Sequence, residues 1–470
     1  MSNLSLKLSL QLKNIKTLHK MNMKKVCVIG AGPCGMNLLA ELNKIPDVEA
    51  VCYEKQDEPG GLWNYSWMTG VDGYGEPQHC SMYMDMCTNT PKECVELPQY
   101  TFIKHFGKPL SSFPPRAVLL DYLQGYWKSI GVPIDTIKVN HSVREVEYCE
   151  DNKKFNVKSV NLKTKDNILN SFDYVVVATG HYSTPNTPNF EGLDSFPGRI
   201  LHSHDFRSAE EFKNRRVLVV GSSWSANDIA LQCHKCGAKS VAFSSRNPLM
   251  PFKWPESFVK FPLLAQVKGK RCNFTDTSSE EFDVIILCTG YKYSFPFMSE
   301  NIRLKSENLF YPPNLYRGLQ WFGMDKEKQN CDGKLFYMGM QNQAYTFTMF
   351  MIQSKWVAKN IAGKLNSPKT EDCESEIKDW SAHNAELVDA HTVMTSQTKY
   401  LQTLAADVGY EGNLDGYHFF MELMEHKAES MIAYRDRCHT SLYSGLTATP
   451  PKTPWFNFFD YSIKGFCDNC

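Results

Sequence analysis

The feature that most constrains this chain is a glycine-rich turn set between an apolar strand and a helix. Residues 26–30 read VCVIG, a β-branched run, and Gly30-Ala31-Gly32-Pro33-Cys34-Gly35 follows at once. MNLLAELNKI then carries apolar side chains at helical spacing, and EAVCYEK returns as a second strand. In such a β-α-β unit Gly30 permits the tight turn, Gly32 lets the backbone approach a pyrophosphate beside Pro33, and Gly35 allows close helix–strand packing. Glu54 stands 24 residues beyond Gly30, at the end of the second strand, placed to accept from ribose hydroxyls.

A second unit starts at Arg215: RRVLVVG, then SSWSANDIALQCHKCG, then KSVAFSSR. Its turn, Gly221-Ser222-Ser223-Trp224-Ser225-Ala226, keeps only the first glycine. Its second strand ends in Ser244-Ser245-Arg246-Asn247, with Lys253 nearby, where an acid would repel a 2′-phosphate. The first site therefore suits a plain ribose and the second NADP(H). FDYVVVATGHY (172–182) and FDVIILCTGYKY (282–293) repeat one pattern and mark two related halves. The expected fold is α/β, with two Rossmann-like dinucleotide-binding domains, the smaller NADP domain inserted in the larger FAD domain. The boundaries read as a leader over 1–23, the first part of the FAD domain over 24–186, the NADP domain over 187–296, and the second part over 297–470 with a C-terminal helical region. A β-meander is expected within 137–175. Gly60-Gly61-Leu62-Trp63 supports FAD, since small residues let the flavin approach the backbone.

Composition removes several classes. With 51 Lys+Arg against 51 Asp+Glu, the chain lacks the basic footprint of a nucleic-acid binder. No apolar run approaches the ~18 residues of a membrane span, so a soluble protein is expected. The 16 cysteines are scattered without framework spacing, which suits a reducing compartment, the cytoplasm. Residues 1–23 carry Lys7, Lys13, Lys16 and Lys20 with no acid and no arginine, a disordered leader with mitochondrial targeting as the alternative. Cys233/Cys236 reads as small apolar helix residues. Cys467/Cys470 is a candidate redox pair, on which the alternative of an NADPH-dependent disulfide reductase rests. No metal site is expected.

Phe196-x-Gly198-x-x-x-His202-x-x-x-Phe206 resembles the FxGxxxHxxx(Y/F) fingerprint of flavin-containing monooxygenases. With GAGPCG, ATGHY, VGSSWSANDI, KWPE and LCTGY the resemblance runs from about residue 24 to 455. EKQDEPGGLWNYSW, HCSMYMDMCTNTPKE and GMQNQAY look most like the trimethylamine-monooxygenase-like members. The resemblance implies that NADPH reduces FAD, that oxygen adds at the flavin C4a, and that an amine nitrogen or sulfide sulfur takes up the distal oxygen while NADP⁺ stays bound. It implies Asn89 at the flavin–oxygen site. It implies FAD contacts from Glu54, Lys55, Gln56, Leu62, Trp63, His79, Ser81, Val143 and Gln341, and NADP(H) contacts from Ser223, Trp224, Ser225, Arg246 and Asn247. Similar amine oxidases carry an acid and a Trp where Asn342 and Ala344 stand, and Tyr where this chain has Trp224. These three and Tyr345 form the expected substrate pocket, and the loss of the charge and the indole leaves trimethylamine, a bulkier amine and a sulfide all open as substrates. Phe206 argues against a Baeyer–Villiger oxygenase, whose fingerprint ends in Trp. The expected partners are O₂ and a small amine or sulfide; a homodimer is left open.

Overall fold

The computed structural model describes residues 23–247, 250–307, 310–323, 330–342, 344–366, 368–383, 386–387, 389–457 and 459–470; the leader expected over 1–23 lies, Met23 apart, outside them. The VCVI run becomes β1 (Lys24–Ile29), whose last four residues are all buried. A strand covered on both faces needs such an unbroken apolar run, and β1 lies inside a seven-stranded sheet. β18 (Leu335–Tyr337), β7 (Tyr174–Val177), β1, β2 (Val48–Tyr53) and β3 (Ile137–Lys138) run parallel in that order. β17 (Gln320–Trp321) and β16 (Leu315–Tyr316) close one edge antiparallel. The chain leaves this sheet after β7 and returns to it at β16.

Between those points lies a second sheet, of five parallel strands: β11 (Phe258–Phe261), β10 (Ser240–Ser244), β9 (Arg216–Val220), β15 (Val284–Leu287) and β8 (Arg199–His202). The two expected Rossmann-like units are therefore present. The meander forms as β4 (His141–Cys149), β5 (Lys154–Asn161) and β6 (Asn167–Phe172). A second one, β12 (Leu264–Lys268), β13 (Arg271–Phe274) and β14 (Ser279–Glu281), was not legible in the sequence, because its strands are short and largely polar.

Helices α1 (Pro33–Leu42), α2 (Phe102–Phe106), α3 (Arg116–Ser129) and α4 (Trp224–Lys235) precede a run of four: α5 (Thr346–Ile361), α6 (Thr370–His383), α7 (Ala390–Asp407) and α8 (Tyr417–Glu429). The last segment, ending in α9 (Ile463–Asn469), lies against α4. Arg435 forms a buried ion pair with Asp228, and Lys235 donates to the Trp455 carbonyl and to the Tyr461 hydroxyl. Among the described residues no helix is long and apolar enough to cross a membrane, and no group of three His, Cys, Asp or Glu could hold a metal ion.

Candidate active site

The two glycine turns are built alike where the chain leaves each first strand. Gly30 has φ +101° and a Cβ there would stand 2.8 Å from the Ala178 carbonyl oxygen; Gly221 has φ +138° and a Cβ would stand 2.3 Å from that of Cys288. Each turn is thus pressed against the Thr-Gly segment ending the neighbouring strand, so only glycine fits. Helix α1 starts from Gly32 and α4 from Ser223, both without a side-chain cap and without an acid in the first turn. Their first N–H groups and positive dipole ends are left for an anion such as a pyrophosphate.

The first cradle is the tighter one. A Cβ on Gly35 would lie 2.0 Å from the Gly30 carbonyl oxygen, and a Cβ on Gly61 would lie 2.9 Å from the Gly32 Cα. Glu54 is buried, and its carboxylate accepts the Ala31 N–H at 2.6 Å and the Gln56 N–H at 2.9 Å. Burial raises its pKa while those two bonds work against the rise. Each oxygen retains a lone pair for a ribose hydroxyl, so Glu54 both shapes the loop and fits the expected group. Lys55 donates to the Pro77 carbonyl at 2.6 Å, and burial lowers its pKa. Gln56 holds Asn64 at 2.9 Å, Leu62 offers its carbonyl to the Cys80 thiol, and the Trp63 ring meets Phe347 edge-on at 6.3 Å. Val143 sits half-buried at a register shift of β4. Gln341 donates to the Gly318 carbonyl at 2.7 Å and accepts from Gln353 at 2.9 Å, which fixes its amide.

In the second half Ser244 does not point outward: its hydroxyl donates to the Pro262 carbonyl and accepts the Leu264 N–H, both at 2.8 Å. Arg246 and Asn247 are exposed beyond it, and so are Ser223 and Ser225. Trp224, half-buried at the start of α4, is gripped from α8: Phe420 packs on it with ring centroids 5.8 Å apart, and the Lys427 ammonium lies 4.1 Å from its ring centroid.

Asn89 is half-buried on a loop fixed along 112–115, where the Thr88 N–H reaches the Pro114 carbonyl at 2.9 Å and the Lys92 N–H reaches that of Ser112 at 2.6 Å. Rings from both crossing segments interleave: Tyr293 with His181 at 5.0 Å, His181 with Tyr182 at 4.1 Å, Tyr182 with Tyr291 at 5.7 Å and Tyr291 with fingerprint His202 at 5.3 Å. Ser81 reaches the Tyr291 hydroxyl. Burial pushes the imidazoles of His79, His181 and His202 down to about 4, so all three are neutral near pH 7.

The four expected pocket residues are held by different partners. The Tyr182 hydroxyl donates to the Asn342 side-chain oxygen at 3.0 Å, and Gln397 binds both the Asn342 carbonyl and the Ala344 N–H. Asn342 also borders a small cavity beside Tyr311, Trp380, Gln397 and Tyr400. Tyr345 is 2% exposed, and its ring packs on Gly416, just before α8, so it backs the site from the core. Sequence reasoning missed Tyr182, Gln397, Phe420 and Lys427. The aromatic endings of the two crossing segments hinted at the first, but nothing local singles out the other three.

The fold and site define a two-dinucleotide flavoprotein, and comparison with known proteins narrows the class. A family model for flavin-binding monooxygenase-like proteins matches residues 23–250 and 258–424, and the chain belongs to that family. It is 43% identical to a trimethylamine monooxygenase of Methylocella silvestris, over 94% of this chain and 98% of the relative. It is 44% identical to another from Pelagibacter ubique, over 94% and 99%. The crystal structure of Tmm from Pelagibacter sp. strain HTCC7211 superposes with a TM-score of 0.88 at 41% identity, covering 94% of this chain and all of that one. An S-allyl-L-cysteine S-oxygenase from Allium sativum superposes with a TM-score of 0.75 at 26% identity, covering 88% and 95%. The chain is thus an FAD-containing, NADPH- and O₂-dependent monooxygenase, as the sequence led us to expect.

Proposed function

We propose that this monooxygenase acts on a soft nucleophile bulkier than trimethylamine, an amine or a sulfide, and that Asn342 and Ala344 set that preference. The carrying observation is the Asn342 side chain, whose oxygen is held by the Tyr182 hydroxyl at 3.0 Å. A carboxylate at this position would attract a cationic amine, whereas a bonded neutral amide gives it only a dipole. Ala344 presents a methyl group where an indole would be far larger.

Bound FAD, reduced by NADPH, supplies the activation of dioxygen. The chain supplies geometry. The α1 N-terminus, Gly32 and Glu54 hold the adenosine diphosphate side of FAD; Lys55, Gln56, Leu62, Trp63, His79, Ser81, Val143 and Gln341 line the rest of its path. The α4 N-terminus, Ser223, Trp224 and Ser225 would hold NADP(H), and Arg246 and Asn247 would bind its 2′-phosphate. Asn89 would offer its amide at the oxygen site. With this reading goes the division into 24–186 with 297–470 for FAD and 187–296 for NADP(H), supported by sheet membership. Sixteen cysteines scattered without framework spacing support a reducing, cytoplasmic location.

The test is product formation from trimethylamine, N,N-dimethylbenzylamine and methyl phenyl sulfide at saturating NADPH. A bulkier compound is expected to exceed trimethylamine in kcat/KM by about tenfold, near the 1.4 kcal/mol that separates well from poorly fitting groups. Asn342→Asp/Ala344→Trp should narrow or reverse the gap. A wild type that prefers trimethylamine refutes the reading.

A further inference from the structure

Lys427 is the least explained charge in the molecule. It is 1% exposed, and its ammonium lies 4.1 Å from the ring centroid of Trp224, 4.8 Å from that of Tyr434 and 5.5 Å from that of Phe252. No carboxylate of the described residues forms an ion pair with it; the neighbouring Asp228 is taken up by Arg435. Burial, and then the Arg435 guanidinium, press its pKa well below the ordinary lysine range, while Asp228 works the other way. A buried ammonium costs several kcal/mol unless it is compensated, and a methionine or leucine at this position would fill the same space without that cost. Stability of the helix therefore does not explain the residue.

Its position does. Phe420 and Lys427 are seven residues apart on α8, hence on one face, and both close on the indole of Trp224. Gly416, just before that helix, packs on Tyr345, while the Lys427 carbonyl accepts the Lys253 N–H at 3.2 Å and Lys253 returns its carbonyl to Met431 at 3.0 Å. This part of the chain thus braces Tyr345, the start of α4 and Lys253.

We propose that Lys427 is a positioning residue for NADP(H): through its aromatic cage it holds the Trp224 indole in one orientation at the α4 N-terminus. The inference rests on the reading that places Trp224 in the NADP(H) site. The Lys427 head group, packed on the ring face, resists rotation of the indole beside the exposed N–H groups that receive the pyrophosphate. It also occupies that face, so a cationic substrate cannot stack there.

The test uses the FAD-loaded enzyme. Lys427→Met keeps the length of the side chain and removes the charge. The Kd for NADP⁺, read by titration on the flavin absorbance, is expected to rise at least fivefold, and the KM for NADPH with it. FAD content should be unchanged and kcat at saturating NADPH should stay within twofold, a split that loss of folded protein does not produce. Trp224→Leu is measured in parallel. If Trp224→Leu binds NADP⁺ like the wild type, the placement of Trp224 and the inference both fall. If it weakens binding and Lys427→Met does not, the placement stands and the inference falls. Should Lys427→Met not fold, Phe252→Leu opens one wall of the cage while keeping cation and indole. It should weaken NADP⁺ at least threefold, and unchanged affinity would overturn the proposal.

Discussion

The two dinucleotide halves share a plan and differ in how tightly they close. In the first, Gly35 presses against the Gly30 carbonyl and Gly32 against Gly61, so backbone meets backbone and a buried acid, Glu54, ends the second strand. In the second, Ser223 and Ala226 occupy the positions of Gly32 and Gly35, and the strand ends in exposed Arg246 and Asn247. A turn without spare volume suits a group that stays; an open rim with a free guanidinium suits one that comes and goes. On the proposed assignment, the difference between prosthetic group and co-substrate is built into one repeated motif by a few side chains.

The largest expected effect breaks the tight half. Gly35→Ala places a methyl 2.0 Å from a backbone oxygen that cannot swing away, and should cost ~3 kcal/mol and most of the bound FAD. Its mirror, Ala226→Gly, should cost only ~1 kcal/mol, the helix penalty of glycine, and leave FAD in place. Thermal denaturation and flavin content read both, and equal losses would erase the distinction between the halves.

Next comes the open rim. Arg246→Ala should lose about 1.5–3 kcal/mol of a charge-assisted phosphate contact, roughly ten- to hundredfold in NADPH affinity, and leave NADH nearly unchanged. Parallel losses for both cofactors would show that Arg246 does not read the 2′-phosphate.

Asn89, half-buried on its loop beside residues 112–115, should affect neither binding step. Asn89→Ala is expected to retain FAD and consume NADPH, with product falling about fivefold, near the ~1 kcal/mol of one hydrogen bond, and peroxide rising in its place. Normal coupling of NADPH to product in that variant would remove Asn89 from the oxygen site.

The smallest effect should come from the terminal cysteines, outside both glycine cradles. The Cys470 thiol receives the Ser111 N–H at 3.1 Å, and Phe466 and Trp455, each 1% exposed, anchor the tail. A tail so held cannot carry electrons between sites. Cys467→Ser/Cys470→Ser should keep substrate-dependent NADPH oxidation within about twofold, since surface substitutions usually stay under ~0.5 kcal/mol. Loss of turnover, or NADPH-driven disulfide reduction that the variant abolishes, would favour a reductase instead.

What the sequence determined by itself was whatever depends on neighbours in the chain. A strand, a glycine turn and a helix within thirty residues demand a dinucleotide cradle, because the turn's geometry and the free N–H groups are local. The acid at Glu54 and the Arg at position 246 were legible for the same reason, each standing at a known distance from its turn. The tertiary structure decided what depends on distant segments. It turned Ser244 inward to bind the chain at 262–264, sent Tyr345 into the core, and tied Asn342 to Tyr182, 160 residues away. It brought Lys427 onto Trp224, more than two hundred positions earlier. No spacing rule encodes such a contact: α8 is placed by the apolar surface it buries, and the charge it carries to the NADP(H) half arrives only once the helix has packed.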